Sequence, residues 1–179
     1  IMRKDTGVDG DAQRISQLGW MIFLKIFDSA EKERALIDTN YSPVIPKNLQ
    51  WRSWAEDDEG ITGDDLVNFI NNELFPGLKE LSVSEGSDPR NQIVREVFRD
   101  AYNYMKSGTL IRQVINKLDE VDFAKMSERH MMNDVYEQIL KDLQSAGNAG
   151  EYYTPRAVTQ FIVDTVDPKL GEKVLDPAC

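Results

Sequence analysis

The most informative stretch of the chain is its C-terminal segment, Gly150–Cys179, with the sequence GEYYTPRAVTQFIVDTVDPKLGEKVLDPAC. Thr154 followed by Pro155 is typical of a helix start, because a hydroxyl can cap the first turn and proline loses no hydrogen bond at the first helical position. Apolar residues then recur at helical spacing, at Val158, Phe161, Ile162 and Val166. The pattern predicts an amphipathic helix.

A turn and a short apolar run follow this helix. Asp167–Gly171 (DPKLG) predicts a break, and Lys173–Leu175 predicts a short strand that leads into Asp176–Cys179 (DPAC). A strand that runs into a turn of small residues is typical of the first cofactor-binding loop in an open α/β sheet. The segment therefore predicts the beginning of an α/β domain.

Together these residues resemble a known family. The run Gly150–Arg156 (GEYYTPR) and the later DPAC are similar to G-x-[FY]-[FY]-T-P-R and D-P-A-C-G-T-G-G. These two patterns open the catalytic domain of the DNA adenine methyltransferase (modification) subunits of type I restriction–modification systems. Asp134–Leu140 (DVYEQIL) is similar to the D-x-Y-E-x-L-L stretch that precedes the first motif in that family. The motifs are specific at this spacing, although DPAC alone is a weak signal.

The resemblance implies that the first motif borders S-adenosylmethionine. The residues implied are Glu151, Tyr152, Tyr153, Thr154, Pro155 and Arg156, with Asp176 near the methionine end of the cofactor. A helix N-terminus suits the carboxylate of this cofactor, and an aromatic ring can contact its sulfonium. On physical grounds alone, the same residues also suit a capped helix with two core tyrosines, followed later by an aspartate that opens a turn.

The charge of the chain limits the partners that it can bind by itself. The 179 residues carry a formal net charge of −10. Duplex DNA is held largely by lysine and arginine, so we expect this chain to contact protein, or to line one side of a DNA path whose basic wall belongs to another domain or subunit. One cysteine fits a reducing cytoplasm, and neither a membrane span nor a signal peptide is predicted. His130 has no clustered ligands, so no metal site is predicted.

Residues 11–146 predict an all-α bundle of five or six helices. The first runs from Asp11 to about Arg34 and is apolar on most sides, which predicts a central position. A second helix is predicted to be capped by Asp64 and ended by Pro76-Gly77. Three further apolar series predict helices, namely Val94–Met105, Ile111–Leu118 and a series capped by Ser127 that runs from Met132 to Leu143.

The predicted fold class is therefore mainly α. A multi-helix bundle is followed by a C-terminal helix and one short strand that begin a truncated α/β (Rossmann-like) methyltransferase domain. The predicted boundary separates an N-terminal helical domain, 1–148, from the start of the catalytic domain, 149–179.

Two further groups of residues admit a functional and a structural interpretation. Trp51 and Trp54 lie in the irregular stretch 40–62, where they suit local core better than stacking on a base or a peptide. The acidic run Glu56–Glu59 is typical of a solvated face. A basic strip is conceivable, but interleaved acids favour ion pairing at a surface over a phosphate track; its residues are Arg90, Arg95, Arg99, Lys106, Arg112 and Lys117.

From the resemblance, the leading hypothesis is the N-terminal part of a type I adenine methyltransferase subunit. The intact subunit would transfer a methyl group from S-adenosylmethionine to adenine in DNA after base flipping. Its implied partners are a DNA specificity subunit, a second methyltransferase subunit, a restriction subunit and double-stranded DNA. Catalytic residues are expected beyond Cys179, so residues 1–179 alone are expected to be inactive and to serve subunit and DNA contact.

Two alternatives remain open at this point. A single-chain restriction–methylation enzyme shares a similar Y-T-P entry, and would carry nuclease and target-recognition domains on the same chain. A free-standing helical interaction module would fit the acidic charge and the bundle pattern equally well, with the terminal motif incidental.

Overall fold

The computed structural model describes residues 1–84, 86–121, 154, 156–169 and 172–175. The chain forms two compact units, Ile1–Ile139 and Leu140–Cys179. Helices dominate the described part of both. The α-helices are α1 (Asp11–Ile37), α2 (Trp51–Trp54), α3 (Gly63–Phe69), α4 (Phe75–Lys79), α5 (Pro89–Arg99), α6 (Gly108–Asp119) and α7 (Arg156–Val166). Short 3-10 turns lie at Met2–Lys4 and Lys47–Leu49, and a π-helical segment at Ile70–Leu74. The predicted mainly α fold is confirmed.

Helix α1 is the long helix predicted from Asp11, and it extends three residues past the predicted end, to Ile37. Its buried side chains follow one stripe at helical spacing, which includes Trp20, Met21 and Leu24. The opposite apolar side is only half-buried, and Ile26 is 42% exposed. The helix is therefore central to the first unit but is not buried on all sides.

The predicted stop at Pro76-Gly77 is wrong. Helix α3 begins at Gly63 after Thr62, rather than after a cap at Asp64, and it continues through the π segment into α4. The N–H of Phe75 bonds to the carbonyl of Ile70, which widens the turn directly before Pro76. Proline normally ends a helix because it lacks an N–H and its ring crowds the preceding turn. A π turn at this point relieves that crowding, and the helix continues.

The apolar series Val94–Met105 does not form one helix, because α5 ends at Arg99. The backbone beyond it is held by tertiary partners instead of by helical bonds. The N–H of Tyr104 donates to Gln17 Oε1 at 2.9 Å, and those of Lys106 and Ser107 donate to the carboxylate of Asp5, each at 2.9 Å. Buried side chains from distant parts of the chain therefore override the local periodicity.

The irregular stretch between α1 and α3 is held in place by two of its own buried aromatic residues. Trp51 and Trp54 are 1% and 4% exposed, and their ring centroids lie 5.3 Å apart. The indole N–H of Trp51 donates to Asp119 Oδ1 at 2.9 Å, and that of Trp54 donates to the Leu49 carbonyl at 3.3 Å. The structural interpretation of these tryptophans is confirmed. The acidic run Glu56–Glu59 is exposed, as predicted.

The second unit contains α7, the helix predicted after Thr154-Pro155. It ends as predicted, because Asp167 adopts a φ of 46° and its N–H still bonds to the Val163 carbonyl at 2.8 Å. Residues 172–175 form no strand, so the predicted strand at Lys173–Leu175 is not borne out in the described residues. The predicted helix of residues 127–143 and the predicted boundary at residue 148 lie outside the described residues, and both stay predictions.

Candidate functional site

Of the predicted cofactor residues, the structure describes Thr154 and the backbone of Arg156, at the start of α7. Thr154 is exposed and non-helical, and Arg156 is the first residue of the helix. Glu151, Tyr152, Tyr153, Pro155 and Asp176 lie outside the described residues, so their part in a site stays a prediction. A helix that begins at Arg156 agrees within a residue with the start predicted from Thr154-Pro155.

Helix α7 carries an exposed apolar side in the described structure. Phe161 is 68% exposed and Val166 is 64% exposed, with Val158 and Ile162 close to half. On the polar side, Gln160 Nε2 donates to Asp164 Oδ1 at 2.8 Å. The helix is therefore amphipathic, as predicted, and its apolar side is suited to packing against further protein.

The cations that could have formed a basic strip do not share one surface. Arg112 is only 6% exposed and holds the loop before α3. Its guanidinium donates to four backbone carbonyls, those of Trp54, Ala55, Asp57 and Ile61, at 2.7–3.1 Å. Burial lowers the pKa of Arg112, while the nearby carboxylates of Asp57, Asp58 and Asp119 act in the opposite direction. This arginine stabilises the fold, and ion pairing accounts for part of the rest of the strip.

Ion pairing is clearest around Asp88 and Arg90, where α5 begins. Asp88 caps the helix by accepting from the N–H of Arg90 at 2.9 Å, and the guanidinium of Arg90 bonds to the same carboxylate. These hydrogen bonds lower the pKa of Asp88 to about 2 and raise the pKa of Arg90. The carboxylate of Glu31 accepts from Tyr41 Oη at 2.9 Å and from the Val44 N–H at 2.6 Å. The interpretation of Arg90 as ion-paired is confirmed.

A large apolar groove lies between α1 and α6. It has a volume of about 730 Å³ and is lined by Ile1, Ile15, Leu18, Ile22, Val114, Leu118 and Val121, among others. Cations stand among these apolar residues, namely Arg3, Arg14 and Lys117. The sequence pattern predicted that α1 would be buried on most of its faces, and it therefore did not indicate this surface. Its composition suits contact with protein rather than with nucleic acid.

A second groove, of about 340 Å³, is basic. Lys79 at the end of α4 joins Gln92, Arg95, Glu96 and Arg99 on one face of α5, beside Val83. The Arg95–Arg99 spacing was visible in the sequence, but nothing in the sequence indicated that Lys79 would lie beside them. Within the described residues, no group of His, Cys, Asp and Glu side chains is arranged to hold a metal ion. The helices of the described part of the chain are all too short or too polar to span a bilayer.

Two protein-family models match successive parts of the chain. A model of the HsdM N-terminal domain matches residues 1–118, and a model of the N-6 DNA Methylase domain matches residues 127–179. The EcoEI type I restriction enzyme methylase subunit of Escherichia coli is 62% identical over 179 residues, which are 100% of this chain and 36% of that protein. The EcoKI methylase subunit of Escherichia coli (strain K12) is 28% identical over 92% of this chain and 28% of its own length.

Solved structures give the same picture. The crystal structure of a modification subunit assigned to a type I restriction enzyme from Vibrio vulnificus YJ016 matches with a TM-score of 0.86 and 39% identity, over 99% of this chain and 40% of that one. A chain from a structure of complex assembly and conformational transition of the type I restriction–modification system matches with a TM-score of 0.79 and 32% identity, over 99% and 35%. This chain therefore spans about a third of the length of the curated relatives, 36% and 28% for the two named above.

Proposed function

The chain belongs to the type I restriction–modification methylase subunits, and we propose that it contributes the helical domain and cofactor-entry helix of an adenine-specific DNA methyltransferase. The complete subunit transfers a methyl group from S-adenosylmethionine to the exocyclic amine of adenine. It acts in the cytoplasm on double-stranded DNA whose target sequence is read by a separate specificity subunit.

One observation supports this proposal most. The chain matches the HsdM N-terminal domain and then the N-6 DNA Methylase domain, in that order, and the second match contains GEYYTPR followed directly by helix α7. A free-standing interaction module gives no reason for the second match. The methyltransferase hypothesis is favoured over that alternative for this reason.

The proposed cofactor contacts lie at the start of α7. The N-terminal N–H groups of a helix, with the positive end of its dipole, suit the carboxylate of the methionine half of S-adenosylmethionine. Tyr152 or Tyr153 supplies an aromatic face for the sulfonium, and Thr154 caps the helix that presents the N–H groups. Glu151, Pro155, Arg156 and Asp176 complete the border of the proposed site.

The helical unit is proposed to contact partner subunits rather than to carry chemistry. Its net acidic sequence opposes unaided duplex binding, whereas the apolar groove between α1 and α6 suits a protein surface. The proposed partners are the specificity subunit, a second methyltransferase subunit and the restriction subunit. The mass of the assembled complex would give the number of copies of each subunit.

The cofactor proposal is tested in the full-length subunit with Tyr153→Ala and Thr154→Ala. Both changes should weaken S-adenosylmethionine binding, Tyr153→Ala by roughly 1 kcal/mol or more if its ring contacts the sulfonium. Isothermal titration calorimetry measures the affinity. Gln160→Ala, on the polar side of α7, is the matched control and should leave affinity unchanged. Unchanged affinity in both Tyr153→Ala and Thr154→Ala would remove this segment from the cofactor site.

A further inference from the structure

The basic groove between α4 and α5 concentrates positive charge in an otherwise acidic chain. Among the residues that the structure describes, it is lined by three cations, Lys79, Arg95 and Arg99, and by one carboxylate, Glu96, a net charge of +2 around about 340 Å³. Arg95 and Arg99 lie one helical turn apart and therefore project from the same face of α5. Lys79 reaches the same groove from α4.

These charges differ in how well they are neutralised. Arg99 pairs with Glu96 at the surface, where both side chains are more than half exposed. Lys79 Nζ donates to a neutral acceptor, the Ala101 carbonyl, at 3.4 Å, and within the described residues the groove offers it no counter-charge other than Glu96. Arg95 makes no ion pair or hydrogen bond with any residue in the described part of the chain. Within the described residues, at least two of the three cations therefore have no ion-pair partner, which makes them suitable for an anionic ligand.

The residue types narrow the class of ligand. A guanidinium presents a planar fork of donors that matches a phosphate, and lysine adds a point charge. The amide of Gln92 adds a neutral donor on the same face. No aromatic side chain, which would stack on unpaired bases, is found among the described residues that line this groove. The lining therefore suits a phosphodiester backbone rather than exposed bases.

We propose that Lys79, Arg95 and Arg99 form a phosphate-contact site through which the helical unit touches the backbone of duplex DNA. This inference rests on the proposed function, which supplies the duplex as the ligand. Backbone contacts position a protein without reading sequence, so the site adds affinity and orientation but no target specificity. An acidic protein surface is the competing occupant, and the experiment separates the two.

The experiment measures DNA binding by the full-length subunit assembled with its specificity subunit, as a function of salt. Each phosphate contact contributes about −0.9 to the slope of log K against log salt concentration. Arg95→Gln/Arg99→Gln should therefore reduce the magnitude of that slope by about 1 to 2, with equal loss on target and non-target duplexes. The matched control is Lys32→Gln/Arg34→Gln on α1, which removes the same charge outside the groove and should leave the slope unchanged.

Arg95→Lys/Arg99→Lys preserves the charge and should retain the wild-type slope. An Arg95→Gln/Arg99→Gln complex that is intact on size exclusion but has the wild-type slope would overturn the proposal. Loss of a partner subunit from that variant, with an unchanged slope for the complex that remains, would also overturn it and would assign the groove to protein contact. Methyl transfer by the wild-type complex and by the Lys32→Gln/Arg34→Gln control tests the proposed function separately, because neither carries a change in the groove.

Discussion

Arg112 shows how one side chain determines the shape of an irregular segment. Its N–H groups donate to the carbonyl of Trp54, at the end of α2, and to carbonyls of the loop that joins α2 to α3, a segment outside the regular helices. In the sequence Arg112 is one more cation on an amphipathic helix. Its role depends on the position of a loop that is distant in the sequence, and the helical periodicity of the sequence gives no information about that position.

Arg112→Ala should destabilise the first unit strongly. The change leaves four loop carbonyls without their donors, and we expect a loss of about 3 kcal/mol or more in the free energy of unfolding. Urea unfolding monitored by tryptophan fluorescence measures this loss, because Trp51 and Trp54 lie beside the loop. Arg95→Ala, at an exposed position without an ion pair among the described residues, should change stability by no more than about 0.5 kcal/mol. Equal stability of the two variants would contradict this role of Arg112.

Asp88 gives the structure a defined dependence on pH. Its pKa is about 2 in the folded chain against an ordinary value of 3.8, so its contribution to stability is present above pH 3.8 and is lost as the pH falls towards 2. Asp88→Asn keeps a good helix cap but removes the charge that bonds to Arg90. Because the side chain is 36% exposed and solvent screens it, we expect a cost of about 1 kcal/mol or less at pH 7.

The stability difference between wild type and Asp88→Asn should shrink as the pH falls from 4 towards 2. Chemical denaturation at several pH values measures it. A difference that stays constant over this range would show that the charge of Asp88 contributes nothing.

At the scale of elements, the packing of α6 on α3 depends on two glycines. A Cβ added at Gly108 would lie 1.8 Å from the carbonyl oxygen of Gly63. Gly63 in turn adopts a left-handed backbone conformation, with a φ of +60°. The first turn of α6 therefore meets the start of α3 through backbone atoms. Glycine is the residue that permits both the close approach and the left-handed conformation.

Gly108→Ala should force α3 and α6 apart and destabilise the chain by roughly 2 kcal/mol or more. Gly19→Ala provides the opposite case, because a Cβ at Gly19 would meet nothing within 4 Å and the residue lies inside α1. Alanine should stabilise that helix by about 0.5–1 kcal/mol. Thermal unfolding compares the two variants, and shifts of the same sign would contradict the structure.

The helices that were predicted best are those whose start or end is marked by a local sequence signal. Helix α6 begins after Ser107, whose hydroxyl accepts from the Leu110 N–H at 3.3 Å, and α7 ends where Asp167 precedes a proline. The prediction placed the end of α5 too late, because side chains of Gln17 and Asp5 bind the backbone that follows the helix. The stop at Pro76 failed because a π turn is not encoded in any simple pattern. The cofactor segment was identified from its motif, and its side-chain geometry stays a prediction.

At the scale of the whole molecule, the short C-terminal motifs reveal the family on inspection of the sequence, whereas the helical unit reveals it through the match of residues 1–118 to the HsdM N-terminal domain model. Residues of a cofactor-binding motif are restricted to a few types by the chemistry that they must perform, so the motif can be recognised in a sequence. A helical surface that contacts other proteins needs only an apolar pattern and a suitable charge, which many unrelated bundles share. The apolar and basic grooves therefore emerge only when the helices are placed in space.

Residues 1–179 alone should transfer no methyl group. The family motif D-P-A-C-G-T-G-G, which opens the catalytic domain, is not complete within these residues. Incubation of the purified chain with duplex DNA and radiolabelled S-adenosylmethionine measures transfer, with the full-length subunit as the control. Incorporation above background by residues 1–179 would contradict this expectation.

The central claim is that the complete subunit is an adenine methyltransferase, and the position of the transferred methyl group tests it most directly. The full-length subunit, assembled with its specificity subunit, should transfer label from S-adenosylmethionine to duplex DNA. Mass spectrometry of the nucleosides released by digestion should then show N6-methyladenine as the labelled product. Label on cytosine, or a stable assembly that binds S-adenosylmethionine and DNA but modifies neither base, would contradict the claim.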